Sequence, residues 1–192
     1  MSLKENLTKI KDQIRETENE TKNPGKVKLV AVTKTRDFQT INKAYECGVT
    51  SIGENRVQEA ESKFESFQNM PDLEKRFVGH LQSNKVKRCL ALFDTIDSVH
   101  SLKIAKKINN HLTQENRKIK SLLEVNMSGD EQKQGFSPEN IDDLILTISL
   151  EPLGVEGLMT IGPGSRNEKE TRKAFSDLRK LKEKLNKEIK KE

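Results

Sequence analysis

The chain has 192 residues, of which 32% are hydrophobic and 34% charged, with no Trp and a single Tyr. That length supports one domain with a modest core, or at most two small ones, and the strand-sized apolar runs exclude a membrane-spanning helix. The formal net charge of +5 is carried by Lys interspersed with Glu, as on solvated helix faces. No arginine-glycine tract, Cys/His finger spacing or aromatic RNA-binding signature accompanies it, so no nucleic-acid partner is expected. Cys47 and Cys89 stand singly beside apolar neighbours, which suits reduced packing residues rather than a disulfide framework. The N-terminus Met1-Ser2-Leu3-Lys4-Glu5-Asn6 has no hydrophobic signal core, and cytoplasm is the expected compartment.

In chain order, Leu3, Leu7, Ile10 and Ile14 form a helical stripe that runs to about Glu18. Asn23-Pro24-Gly25 breaks it, and an apolar, β-branched strand is predicted over about Val27–Thr33. Asp37 caps a helix carrying Ile41, Ala44, Tyr45 and Cys47, which Gly48 stops. The strand Thr50-Ser51-Ile52 leads through Gly53-Glu54-Asn55 into a long polar helix reaching about Asn69. A strand Arg76-Phe77-Val78 ends at Gly79-His80, and a helix with Val86, Cys89, Leu90 and Leu92 follows. Phe93–Ile96 reads as a strand closed by a turn at Asp97-Ser98, and Leu102, Ile104, Ala105, Ile108 and Leu112 as an amphipathic helix. Ser121–Val125 is a strand closed by Asn126-Met127-Ser128-Gly129. Ser137-Pro138-Glu139 reads as a helix start, with proline at the first helical position. That helix reaches Leu150, a strand Val155–Met159 follows, and Gly162-Pro163-Gly164-Ser165 is a turn. A charged helix from about Glu168 completes the pattern.

Strands alternating with helices argue for parallel α/β organisation in a single domain, residues 1–192. An open doubly wound sheet and a (β/α)₈ barrel both begin this way. Polar residues recur just after the strands, at Lys34, Asn55, His80, Ser98, Asn126 and Thr160, and in a barrel those positions share one rim. Lys34 is the most informative of them. A lysine at the end of a buried strand is expected to be partly desolvated, which disfavours the ammonium form and frees the amine for a Schiff base.

The blocks Lys28-Leu29-Val30-Ala31-Val32-Thr33-Lys34, Ile52-Gly53-Glu54-Asn55-Arg56-Val57-Gln58-Glu59 and Phe77-Val78-Gly79-His80-Leu81-Gln82-Ser83-Asn84-Lys85 carry a family pattern. It continues in Val125-Asn126-Met127-Ser128-Gly129, Lys133-Gln134-Gly135-Phe136 and Gly157-Leu158-Met159-Thr160-Ile161. In order and spacing the chain resembles the pyridoxal 5′-phosphate homeostasis protein family, whose fold is similar to the barrel domain of alanine racemase. The resemblance implies a (β/α)₈ TIM barrel of the alanine racemase N-terminal-domain type, with about six βα units in this chain. It implies Lys34 as the lysine that binds pyridoxal 5′-phosphate as a Schiff base. Asn55 is a candidate for the pyridine ring or for a helix cap, and His80 for the pocket wall. Ser128 could present a hydroxyl or simply form a turn, and Met159 could touch the cofactor or pack in the core. No metal site is expected, because His80, His100 and His111 lack ligand spacing.

Family members carry a Ser-Met-Gly-Met-Ser type segment and an Arg-Ile-Gly-Thr type segment after two further strands, and neither occurs here. The chain is expected to be a piece of an eight-stranded protein, because a naturally short form would leave open sheet edges. Phosphate contacts are therefore not assigned. The function implied is non-catalytic holding of pyridoxal phosphate for intracellular homeostasis, by a monomer, with pyridoxal-phosphate-dependent apoenzymes as recipients and no membrane partner. The alternative is an amino-acid racemase. Racemisation needs a second acid/base group, which alanine racemase takes from a tyrosine of a separate domain, whereas Tyr45 here lies in an outer helix.

Overall fold

The computed structural model describes residues 2–22, 25–66, 70–130, 133–164 and 167–190. Six parallel strands are hydrogen-bonded in chain order: β1 (Ala31–Val32), β2 (Ser51–Glu54), β3 (Glu74–Phe77), β4 (Thr95–Val99), β5 (Ile119–Glu124) and β6 (Leu153–Met159). Each pair of strands is joined by a helix, as parallel neighbours require, and no hydrogen bonds close the sheet among the described residues. The chain divides into two compact units, Met1–Arg76 and Phe77–Glu192.

In the first unit, helix α1 (Leu3–Glu20) starts at a reciprocal capping box: the Ser2 hydroxyl accepts from the Glu5 amide, and the Ser2 amide donates to the Glu5 carboxylate. At its other end the Glu18 carboxylate accepts from the amides of Gly25 and Val27, tying the helix to the segment that enters β1. Helix α2 (Phe38–Glu46) is capped by Asp37, whose side chain accepts from the Thr40 amide at 2.8 Å, and Gly48 ends it at φ +83°. Leu7, Ile41, Ala44, Val49, Ile52 and Leu73 form the core, with Leu29, Ala31, Tyr45 and Phe64 packed against it. Strand β1 pairs with β2 through Ala31↔Ile52 and Val32↔Gly53. Every residue of β2 is buried, and helix α3 (Val57–Phe64) follows it.

The second unit is built on β4, β5 and β6, which pair in parallel with register irregularities between Ile96 and Val99 and between Ser121 and Leu122. Helix α4 (Val86–Leu92) follows a single 3₁₀ turn at Ser83–Lys85. Its Cys89 is buried, and burial pushes the thiol far above its ordinary range, which suits an inert packing residue. Phe77 meets Phe93 edge to face, with ring centroids 5.2 Å apart. Helix α5 (Leu102–Gln114) is capped by Ser101 and buries Ile104, Ala105, Ile108 and Leu112 at helical spacing. Helix α6 (Ile141–Ile148) and helix α7 (Glu168–Ile189) complete the unit, α7 burying Ala174, Leu178, Leu181 and Leu185. Among the described residues, no helix is long and apolar enough to cross a membrane.

Several expected boundaries move. Strand β1 is two residues long instead of spanning 27–33, and it is an outer strand with Val32 52% exposed, so the double-sided cover inferred from its apolar run is missing. Asp97 and Ser98 are not a turn but buried members of β4, where the Thr95 hydroxyl satisfies Asp97 and the Ser98 hydroxyl donates to the Gly79 carbonyl. Helix α6 begins three residues after Pro138, because the Asn140 side chain accepts from the Asp143 amide and takes over as cap; Ser137 and Pro138 form the preceding turn. Helix α3 ends at Phe64; Asn23, Pro24, Asn69 and Ser165 lie outside the described residues.

After β5 the chain folds back so that Val125 bridges Phe136, with the Asn126 amide donating to the Phe136 carbonyl and the Phe136 amide to Glu124. Gly135 makes this possible: its φ is +121°, and an added Cβ would stand 2.8 Å from the Asn126 amide nitrogen and 3.0 Å from the Glu124 carbonyl oxygen. Backbone cannot yield as a flexible side chain would. Gly135→Ala should therefore cost roughly 1–3 kcal/mol of stability, read as a lowered urea midpoint at unchanged slope; an unchanged midpoint would show that the loop relaxes freely.

Candidate functional site

The polar residues singled out by sequence lie where parallel strands end, at the C-terminal side where α/β proteins place ligands. In the first unit, β1 is followed by buried Thr33 and a turn through Lys34, Thr35 and Arg36, closed by the Arg36 amide donating to the Thr33 carbonyl. Lys34 is exposed, and its side chain makes no hydrogen bond or ion pair with a described residue. This corrects the expectation of a sheltered amine. The strand behind Lys34 pairs on one side only, and the Val32 next to it is itself half exposed.

Asn55 follows β2, is half-buried, and its side chain makes no hydrogen bond with a described residue. It is not the cap of α3. Arg56 occupies that position and supplies no side-chain cap bond, so the cap role weighed for Asn55 is not the one it plays, and its amide remains available for a ligand.

Thr35, directly after Lys34, has φ +64°, a conformation that costs a β-branched residue on the order of 1–3 kcal/mol. Its amide donates to Glu59 at 2.6 Å. Glu59 in turn accepts from Lys63 at 2.6 Å, and the Lys63 and Thr35 bonds hold its carboxyl below the usual range against the opposing effect of burial. Glu54, the last residue of β2, is fully buried. Sequence reading passed over Glu54, Glu59 and Lys63. The available signals were a carboxylate ending an otherwise apolar strand and an acid–base pair four apart on the next helix.

In the second unit, His80 is exposed beyond β3, and its ring lies 4.3 Å, centroid to centroid, from that of His100, which follows β4. Nineteen intervening residues hid this pairing in the sequence. Still, no group of three or more metal-ligating side chains forms among the described residues. Ser128 is engaged within its own turn: its hydroxyl and amide both donate to the Asn126 side-chain oxygen, at 2.8 and 3.2 Å. Met159 ends β6, half-buried, opposite Glu124 in the ladder. Glu124 is half-buried too, and burial raises its carboxyl above the usual value. Thr160 is buried and donates to the Val125 carbonyl at 2.8 Å.

The donor set suits an aldehyde-bearing aromatic cofactor. In the first unit Lys34 offers a primary amine and Asn55 a side-chain amide, neither bonded to a described residue, after β1 and β2. The phosphate of such a group finds no obvious cradle in Ser128, whose hydroxyl is already committed.

Parallel strands with these groups at their C-terminal ends define a barrel-type α/β protein of the alanine racemase N-terminal class, and residues 6–192 match the family described as "Alanine racemase, N-terminal domain". The chain belongs to the pyridoxal phosphate homeostasis proteins within that family. The protein of that name from Aquifex aeolicus is 35% identical over 190 residues, covering 98% of this chain and 83% of the relative. The one from Pasteurella multocida is 34% identical over 189 residues, covering 96% and 81%. Among solved structures, PipY of Synechococcus elongatus with pyridoxal phosphate bound superposes with a TM-score of 0.78 at 31% identity, covering 91% of this chain and 81% of PipY. Alanine racemase of Clostridium difficile, at 18% identity and a TM-score of 0.70, covers 93% of this chain and 48% of the racemase, and shares the fold.

The histidine pair yields a measurable pH signature. Burial is the main cause that lowers the His100 pKa from its ordinary value near 6.5, and the neighbouring His80 charge adds to it against the Ser98 carbonyl. A depressed pKa means the folded protein binds fewer protons here than the unfolded chain. The contribution to stability is thus complete above about pH 6.5 and is lost as pH falls through the folded value. NMR titration of the His100 ring should give a midpoint below 6.5. In His80→Gln that midpoint should move up part of the way, because burial remains; an unmoved midpoint would show that the two rings do not interact electrostatically.

Proposed function

We propose that the chain binds pyridoxal 5′-phosphate covalently through Lys34, as a Schiff base, and serves cofactor homeostasis rather than turnover of an amino acid. The observation that carries this reading is the unpartnered Lys34 amine at the end of β1 in a pyridoxal phosphate homeostasis family member. The relationship to PipY, whose structure holds pyridoxal phosphate, supports the same cofactor here. When bound, the cofactor supplies an aldehyde whose carbon joins the amine nitrogen with loss of one water. Asn55, in the same unit as Lys34, fits a hydrogen bond to a ring substituent, and His80 is a further candidate to touch the cofactor. Met159 packs at the strand end, and Ser128 contributes through the turn it stabilises.

A racemase needs a second acid/base group on the opposite face of the substrate carbon. Tyr45, the only tyrosine in the sequence, is in α2 and packs against the apolar core of its unit. That placement favours holding over turnover. In this reading the protein is a cytoplasmic monomer that gives up its cofactor to pyridoxal-phosphate-dependent apoenzymes.

Borohydride reduction of the protein with added pyridoxal phosphate should fix the cofactor mass on the peptide containing Lys34, and Lys34→Ala should lose both that adduct and the visible absorbance band. Persistence of the band in the variant would move the attachment elsewhere. Loaded protein incubated with L- or D-alanine should show no sustained inversion by chiral chromatography; steady conversion would establish the racemase reading instead.

A further inference from the structure

The Lys34 side chain makes no hydrogen bond or ion pair with a described residue, yet both residues beside it are held by one cluster of charges, buried at Glu54 and partly buried at Lys63 and Glu59. Lys63, on α3 with 10% of its side chain exposed, directs its ammonium to three acceptors: the Thr33 carbonyl at 2.9 Å, Glu54 at 2.8 Å and Glu59 at 2.6 Å. Three N–H donors meet three oxygens, so the group has no capacity left over. The same Glu54 oxygen accepts from the Thr33 hydroxyl at 2.6 Å, and the same Glu59 oxygen from the Thr35 amide at 2.6 Å. The other Glu54 oxygen, Oε2, is buried with no hydrogen-bond partner.

This is a costly way to stabilise a fold. Buried ion clusters lose to apolar residues of similar volume about as often as they win, and a bare carboxylate oxygen adds to the penalty. The bonds converge on the backbone before and after Lys34 and keep Thr35 at φ +64°, a conformation its branched side chain resists. We infer that Glu54, Glu59 and Lys63 form a clasp that positions Lys34: by fixing the Thr33 carbonyl and the Thr35 amide, it sets the direction in which the amine leaves the strand and so speeds its attachment to an aldehyde. The inference rests on Lys34 being the point of attachment. Glu59 is the direct holder of the Thr35 amide, and Lys63 and Glu54 act through it and through Thr33. All three are positioning residues.

Glu59 is the member to vary, since it lies on a helix with 24% of its side chain exposed and tolerates truncation. Glu59→Ala removes the acceptor for the Thr35 amide, whereas Glu59→Gln keeps an oxygen in place and removes only charge. In the wild-type apoprotein the Thr35 amide should exchange with deuterium at least tenfold more slowly than the unprotected peptide. Glu59→Ala should lose that protection, and its rate of attachment of pyridoxal phosphate, trapped with borohydride and read at the Lys34 peptide, should fall five- to tenfold. Glu59→Gln should stay within twofold of wild type on both readouts. Free exchange of Thr35 in the wild type overturns the clasp without recourse to any variant. So does attachment in Glu59→Ala at the wild-type rate, or equal slowing in the two variants, which would make the effect one of charge. If the wild type carries no adduct at Lys34 while Thr35 is protected as stated, the attachment reading fails and the clasp remains as geometry without that purpose.

Discussion

A carboxylate with no exposed surface must be answered by donors, and Glu54 is the place in this chain where that requirement organises everything around it. It ends a strand whose residues are all buried, so it cannot turn to water. Its partners are the Thr33 hydroxyl on the neighbouring strand and the Lys63 ammonium on the following helix. Removing one partner of such a pair typically costs about 3–5 kcal/mol, because the charge left behind stays buried. The demand of one side chain thereby locks the end of β1, the end of β2 and the last turn of α3 into a common geometry, and the turn that bears Lys34 inherits it.

The second unit meets the same problem with hydroxyl donors, one of which answers the buried Asp97 carboxylate. Buried Ser98, Thr95 and Thr160 give their protons to the Gly79 carbonyl, Asp97 and the Val125 carbonyl, respectively. The return of the chain after β5 is held by backbone bonds around Gly135 and by the Asn126 amide, which donates to the carbonyls of Asp130 and Lys133. Neutral hydrogen bonds of this kind need little desolvation compared with ions, so these strand ends are settled at lower cost than the end of β1.

Much of this was legible in the sequence wherever a strong local signal coincided with the packing. The stripe of α5 and the cap at Asp37 are readable because period and cap chemistry are local. Asp97 and Ser98 were misread as a turn because their partners, Thr95 aside, lie far along the chain. Ser137-Pro138 looked like a helix start because Asn140, three residues later, competes for the same task and wins. The family blocks flagged Lys34, Asn55 and His80, but Lys63 is one of 35 Lys and Arg residues, and nothing in its neighbours announces that it is buried. The His80–His100 contact was invisible for the same reason: it depends on adjacent strands ending at the same level, a property of the sheet and not of either segment.

The exposure of Lys34 changes what has to make it effective. A buried amine becomes nucleophilic by losing the water that stabilises its ammonium form, and the apolar run before Lys34 suggested that route. Orientation is a second route. Holding a reacting group in the right direction can replace several kcal/mol of entropy otherwise lost on reaction, provided the backbone beneath it does not move. The turn supplies that condition: an unfavourable φ at Thr35 is tolerated because its amide has an acceptor, and that acceptor is itself pinned by a saturated ammonium.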